Sequence, residues 1–216
     1  MSTEDPLVGE ETRGARKSAE ERLAEIAAAA RSLALEDGLT ALTQRAVAER
    51  AGVAASLVAH YHPSMEVLVT DTFRSIVAGE LVEVFGHVAV QRDPVRALRI
   101  LIVALLDGGR NDINLVWTDA FSMARRLPLL GAEVLSQTQA WHDRFCAVLT
   151  RTAVADPPLT EEAADRLASQ FLAMIDGLDT HALIGHRLGS VNVDLIARAL
   201  EPELGLARGA LGALGD

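Results

Sequence analysis

Apolar residues recur every three to four positions along most of this chain, and Gly, Pro and capping residues punctuate the runs. That spacing is one face of a helix. The first run follows Ser18-Ala-Glu-Glu21, a capping-box pattern in which Ser18 holds an amide three residues on and Glu21 reaches back. Leu23, Ile26, Ala30 and Leu33 then share a face, and Gly38 ends the helix. Thr43 opens a short helix to about residue 50, with Val47, Ala48 and Ala51 inward. Gly52 permits a sharp turn with positive φ. A second short helix fits 54–61 and stops at Pro63.

Longer runs follow. Ser64 caps a helix over 65–90 whose stripe is Leu68, Val69, Phe73, Ile76, Val77, Leu81, Phe85 and Val88. Asp93-Pro94 is a cap followed by Pro at the first helical position. Helical spacing continues from Val95 to Leu106, before Gly108-Gly109. Further helices fit 113–126, 130–154, 160–187 and 193–204, with Asp156-Pro-Pro-Leu breaking the chain between two of them. The pattern predicts an all-α protein of about nine helices. A small three-helix unit at 18–68 precedes a larger helical body at 69–205. Residues 1–17 read as a flexible arm and 206–216 as a frayed tail.

Composition agrees with the pattern. Ala (36) and Leu (31) are the strongest helix formers and make up 67 of 216 residues. No apolar stretch approaches the ~20 residues of a membrane span, and the polar, acidic start of the chain is unlike a secretory signal; a cytoplasmic protein with no membrane partner is expected. The single cysteine, Cys146, excludes a disulfide scaffold and a Cys-rich metal centre. Net charge is −10, which weighs against nucleic acid, but it is unevenly spread. Residues 13–65 hold seven Arg/Lys against six acids, a net of +1, so the remainder carries −11.

Two short helices about a tight Gly turn are the geometry of a helix-turn-helix. Ala48 and Ala51 are small where the helices must approach, and Ala55, Ser56, Leu57 and His60 lie on the exposed side of the second helix. Here the sequence resembles the TetR family of bacterial one-component regulators. The likeness runs over about 19–68: Gly38-Leu-Thr-Ala-Leu, then Thr43-Gln-Arg-Ala-Val-Ala-Glu-Arg-Ala-Gly-Val53, then Ser56-Leu-Val-Ala-His-Tyr61, then Ser64, Glu66 and Leu68. The recognition helix is most like the actinobacterial type. The body looks like that family's ligand-binding and dimerisation domain, and 172–184 is similar to the betaine-regulator type.

The resemblance implies a DNA-binding regulator, a repressor released from a palindromic operator by a small-molecule effector. It implies that Thr43 caps the second helix and contacts a phosphate, with Arg45 supporting the same contact and Gln44 between them in the DNA-binding set. Ser56 and Leu57 would face base edges, and His60 and Tyr61 backbone or bases, with Ala54 and Ala55 completing the DNA-binding set. Three residues depart from the family pattern: Ala54 for the usual Ser cap, His62 for the usual Phe, and Met65 for the usual Lys. They motivate the alternative of a dimeric ligand-binding member that has lost DNA binding.

Trp117, Phe121, Trp141, Phe145, Phe171 and Met174 are candidates to line an effector pocket, with core packing the plainer explanation for each. Asp107, Asp119, His142, Asp176 and His181 are the polar candidates there, His181 equally suited to a dimer seam. The last two helices would pair with their mates in a homodimer, through Ala182, Leu183, Leu195, Ile196, Ala199 and Leu200. No Walker A, G-x-G-x-x-G, nucleophile elbow or Glu-x-x-His occurs. His60 and His62 point about 200° apart on a helix and cannot chelate one metal. Cys146 reads as a small buried residue. No catalysis, cofactor or metal is expected.

Overall fold

The computed structural model describes residues 18–106, 108–186 and 190–212. The expected arm at 1–17, with Arg13, Arg16 and Lys17, lies outside them, as does Asp107. Among the described residues there are nine α-helices and no strand. They are α1 (Ala19–Asp37), α2 (Gln44–Ala51), α3 (Ala55–Tyr61), α4 (Met65–Ala89), α5 (Pro94–Leu106), α6 (Asn111–Ala124), α7 (Pro128–Thr152), α8 (Glu161–Leu183) and α9 (Ser190–Leu200), with a short 3₁₀ turn at Leu39–Ala41. No helix of the described residues is long and apolar enough to cross a membrane.

The helix starts follow their caps. Ser18 and Glu21 form the reciprocal box at α1, with bonds of 3.1 and 2.6 Å. Thr43, Ser64 and Thr160 each accept from the amide three residues on. Gly52 sits in the left-handed region (φ 66°) where α2 turns into α3, and a Cβ there would meet nothing. Conformation, not space, requires glycine at that position. Gly38 is held by both. Its φ is 85° and ψ 170°, open to glycine almost alone, and a Cβ would overlap the Asp119 carboxylate.

One hydrophobic core runs through the chain, from Ile26 and Val47 to Phe73, Leu101, Phe145, Phe171 and Ile196. In α1–α3, helix α1 packs on α2, and α2 on α3. α1 also packs on α4 and α6, and the 3₁₀ turn also touches α6. The small unit therefore rests directly on a helix of the body. One polar tether reinforces that contact and a second joins α4 to α7. Asp119 Oδ2 on α6 accepts from the Thr40 amide (3.0 Å) and hydroxyl (3.1 Å). Glu66 Oε1 on α4 accepts from the Leu129 amide in the first turn of α7 (2.8 Å). That amide has no partner within its own helix, so the carboxylate satisfies it and complements the helix dipole.

Two expectations fail near the C-terminal end of the chain. As far as residue 212, the tail read as frayed is folded back: the buried Glu201 carboxylate accepts from the amides of Gly209 (2.9 Å) and Leu211 (2.8 Å), and Leu211 is fully buried. Its Gly-rich sequence hides one apolar anchor and a remote acceptor. Ile196 and Leu200, expected at a dimer seam, are buried in the chain's own core. Leu195 is the exposed member of that set, together with Val191 on the same helix.

Candidate functional site

Most of the expected DNA-contacting residues of the helix-turn-helix are exposed. Thr43 and Arg45 at the start of α2 are exposed, as are Ala54, Ala55, Ser56 and His60 along α3; Gln44, Leu57 and Tyr61 are half-buried beside them. Val58 faces inward, fully buried, and fixes the rotation of α3. Thr43 Oγ1 accepts from the Ala46 amide (3.1 Å), which leaves its hydroxyl proton available to donate. Arg50 is turned away: it grips Glu36 through two bonds of 2.7 and 2.8 Å and reaches Ser32 (2.7 Å). That leaves Arg45 as the exposed cation at the N-terminal end of α2.

The three departures have visible consequences. Ala54 offers no side-chain cap to α3. Met65 is half-buried against the core instead of carrying a charge. His62 sits half-buried with Nε2 enclosed and without a hydrogen-bond partner among the described residues. An enclosed polar atom without a partner costs about 1–3 kcal/mol. His62→Phe is therefore expected to raise stability by about 1 kcal/mol, seen as a higher urea midpoint at unchanged slope. An unchanged or lower midpoint would show that the ring nitrogen is satisfied by solvent.

A cavity of about 610 Å³, mouth included, lies between α4, α5, α6, α7 and α8. Leu105, Trp117, Phe121, Trp141, Phe145, Leu172 and Ile175 supply apolar wall; Asn114, Thr118, Thr138 and Thr180 supply neutral polar groups. Trp117 stands edge-on to Phe73 (centroids 5.1 Å) and beside Phe121 (5.5 Å). Trp141 and Phe145 are 5.6 Å apart on the opposite wall.

The charged wall is unbalanced. Glu80, Asp176 and Asp179 face one cation, Arg110. Glu80 and Arg110 form a buried ion pair, and Trp117 Nε1 donates to Glu80 Oε2 (3.1 Å). Burial lowers the Arg110 guanidinium, against the pull of Asp179 and Asp112. Asp176 meets solvent along the cavity, yet the surrounding protein pushes its carboxyl up to about 6. Burial, then the charge of Asp176, pushes Asp179 up to about 7; Arg110 and a hydrogen bond with Asn114 pull it down less. Two carboxylates thus lack the positive charge that would suit them, a mark of a functional site.

Of the expected pocket residues, Trp117, Phe121, Trp141 and Phe145 line the cavity. Phe171 does not; it is fully buried behind Phe145 at 4.7 Å between centroids. Met174 packs half-buried against the core, and His181 is exposed near the end of α8, edge-on to His186 (5.8 Å). Among the polar candidates, Asp176 is on the wall. Asp119 is the tether to Thr40, and His142 lies in a cluster with Cys146 and Asp165. Cys146 is half-buried, not enclosed as expected. Sequence reasoning missed Glu80, Arg110, Asn114 and Asp179. Glu80 had a readable sign: it falls on the apolar face of α4 between Ile76 and Val84, where a lone carboxylate needs a partner.

Two family models match the chain. The one for bacterial regulatory proteins of the tetR family matches residues 26–72. The one for the C-terminal region of BetI-type transcriptional repressors matches 91–204. The HTH-type transcriptional regulator BetI of Burkholderia lata is 28% identical over 147 residues, 66% of this chain and 72% of that protein. A transcriptional regulator of Rhodococcus sp. Rha1 superposes with a TM-score of 0.64 at 26% identity, covering 87% of this chain and 95% of that one. A regulator from Saccharomonospora viridis, solved in complex with choline, gives 0.69 at 20% identity, over 87% of this chain and 97% of that one. A TetR regulator of Haloarcula marismortui gives 0.71 at 18%, over 85% and 98%. At these last two identities the likeness is one of fold.

Proposed function

The chain belongs to the TetR family of bacterial regulatory proteins and is a DNA-binding transcriptional regulator; from that premise we propose a homodimeric repressor that a small organic cation releases from a palindromic operator. The observation that carries the choice of effector is the cavity wall: a surplus of carboxylates, Asp176 and Asp179, among the rings of Trp117, Phe121 and Trp141. A desolvated ammonium is attracted both to aromatic faces and to unpaired carboxylates. Glu80 is already matched by Arg110, so the charge to be supplied belongs to the two aspartates. The choline held by the Saccharomonospora viridis regulator, a quaternary ammonium within the same fold, supports the same class of ligand.

Helix α6 supplies the route from cavity to DNA. It carries Trp117 and Phe121 on the cavity wall and Asp119 on the tether to Thr40, between α1 and α2. A cation that binds better with α6 displaced would move Thr40 and the helices beyond it. Release then follows from its differential affinity for two states, with typical coupling of 1–3 kcal/mol. In Asp119→Ala, DNA and effector are each expected to bind, while the effector's weakening of DNA binding falls from roughly 5–150-fold toward none. Fluorescence anisotropy of a labelled operator with and without effector measures it; full coupling in the variant would remove this route.

Selection of bound duplexes from a random library is the primary test. A palindrome with half-sites about 34–36 Å apart is expected. Arg45→Ala and His60→Ala should each weaken binding to it, Arg45→Ala also reducing the salt slope by about one. The uncapped start of α3 and the absent charge at Met65 favour one other reading, a ligand-binding dimer without DNA recognition. A folded, dimeric chain that enriches no sequence would establish that reading instead.

A further inference from the structure

We propose that His142, Cys146 and Asp165 form a binding site for one divalent transition-metal ion of the zinc type, joining α7 to α8 outside the effector cavity. His142 and Cys146 are one turn apart on α7, a spacing that puts both on one face. They lie about 100° round that helix from the cavity-lining Trp141 and Phe145. Asp165 projects from α8. One ligand atom from each of the three residues falls within 4.8 Å of the others. Cys146 Sγ is 3.8 Å from His142 Nδ1, the nitrogen that would ligate; Asp165 Oδ1 rests 3.5 Å from Nε2, on the other edge of the ring, and has to swing round to reach the same ion. Tetrahedral zinc with bonds of about 2.0–2.3 Å holds its ligands roughly 3.3–3.8 Å apart. The three groups need to close by about an ångström or less, and the exposed Asp165 side chain is the one free to swing.

The surroundings suit a cation. Asp143 Oδ1 lies 3.8 Å from His142 Nδ1 and adds negative charge. The His142 ring is largely covered and sits in the groove between the helices, its Nε2 3.2 Å from both the Asp165 carbonyl and Ser169 Oγ. Such outer contacts orient a ligating imidazole. Binding forms the metal–sulfur bond and releases the thiol proton to solvent. One thiolate, one imidazole and one carboxylate leave a fourth position for water, and this mixed soft and hard set selects zinc-type ions over magnesium or calcium.

Cobalt(II) titration of the full-length, tag-free protein tests the site. Cys146 is the only cysteine, so a thiolate-to-cobalt charge-transfer band can come from no other residue. The expected result is a band that saturates at one ion per chain and is abolished by zinc. Cys146→Ser should lose the band and bind zinc at least ~10-fold more weakly. Asp165→Asn should keep the band and lose roughly 10-fold in affinity, the scale of a removed ligand or its support. Helical circular dichroism should be unchanged in both. A folded wild-type chain with no band would overturn the proposal. So would saturation at half an ion per chain, or an Asp165→Asn variant of unaltered affinity.

Discussion

Replacing Glu80 by Ala is expected to lower stability by about 3 kcal/mol, within the 3–5 kcal/mol typical of breaking a buried ion pair from one side. For a chain of this size that is a fall in melting temperature of roughly 6–12 °C. The Glu80 and Arg110 side chains are 4% and 16% exposed, so neither partner can turn to water when the other is lost. Truncation leaves the Arg110 guanidinium enclosed and deprives Trp117 Nε1 of its acceptor at 3.1 Å. Asp179 recovers little of this, since it already faces Arg110. The pair itself adds far less than its rupture costs, because both charges were taken out of water to form it. The double replacement Glu80→Leu with Arg110→Met should therefore recover most of the loss. Thermal and urea unfolding of wild type and both variants decides the matter. A single variant within about 0.5 kcal/mol of wild type, the range of ordinary surface substitutions, would show that solvent already reaches the pair.

The helices and the turn between α2 and α3 were legible because their determinants are local. Thr43 and Ser64 cap the helices they precede, Gly52 is needed by its own φ, and the apolar stripes repeat with the helical period. The cavity was half legible. The aromatic residues of the body helices gave Trp117, Phe121, Trp141 and Phe145 as candidates, but the same reasoning admitted Phe171, which faces Phe145 and not the cavity. The charges were missed since each acts across helices remote in sequence. Glu80 meets Arg110 thirty residues on, and Asp179 meets Asn114 and Arg110 from α8. The tether from Asp119 to Thr40 spans 79 residues and left its mark at Gly38, whose second constraint, lack of room for a Cβ, cannot be read from a helix end. Likewise the Gly-rich tail looked unstructured because the Glu201 carboxylate that orders it lies in the turn after α9.

Asp179→Asn should make the ligand-free protein more stable at pH 8, by about 1–2 kcal/mol, while weakening its hold on an organic cation. The sign is set by where the protons sit. In the unfolded chain an aspartate titrates near its ordinary value of 3.8, whereas folding raises Asp176 to about 6 and Asp179 to about 7. Between about pH 4 and 7 the folded chain keeps protons the unfolded chain has lost. These two groups therefore make stability fall as pH rises through that window, with the loss complete above about pH 8. Asn carries no such titration, so variant and wild type should coincide below about pH 4 and separate as pH rises. Three pKa units taken alone would correspond to about 4 kcal/mol. Solvent in the cavity and the mutual influence of the two aspartates reduce that figure. A bound ammonium removes the penalty by restoring the missing charge, so the affinity of the wild type for choline, as test cation, should rise as pH passes from 6 to 8. In the variant that rise should shrink and affinity at pH 8 should drop by about tenfold or more. Stability set aside to hold a ligand in this way is a common property of binding sites. Titration calorimetry and thermal unfolding across pH 4–8 separate the two claims. A variant less stable than wild type at pH 8 would mean that Asp179 is held by Arg110 and Asn114 as an ordinary structural carboxylate. Choline binding absent from both proteins would remove the cation from the account while leaving the stability result to stand on the cavity alone.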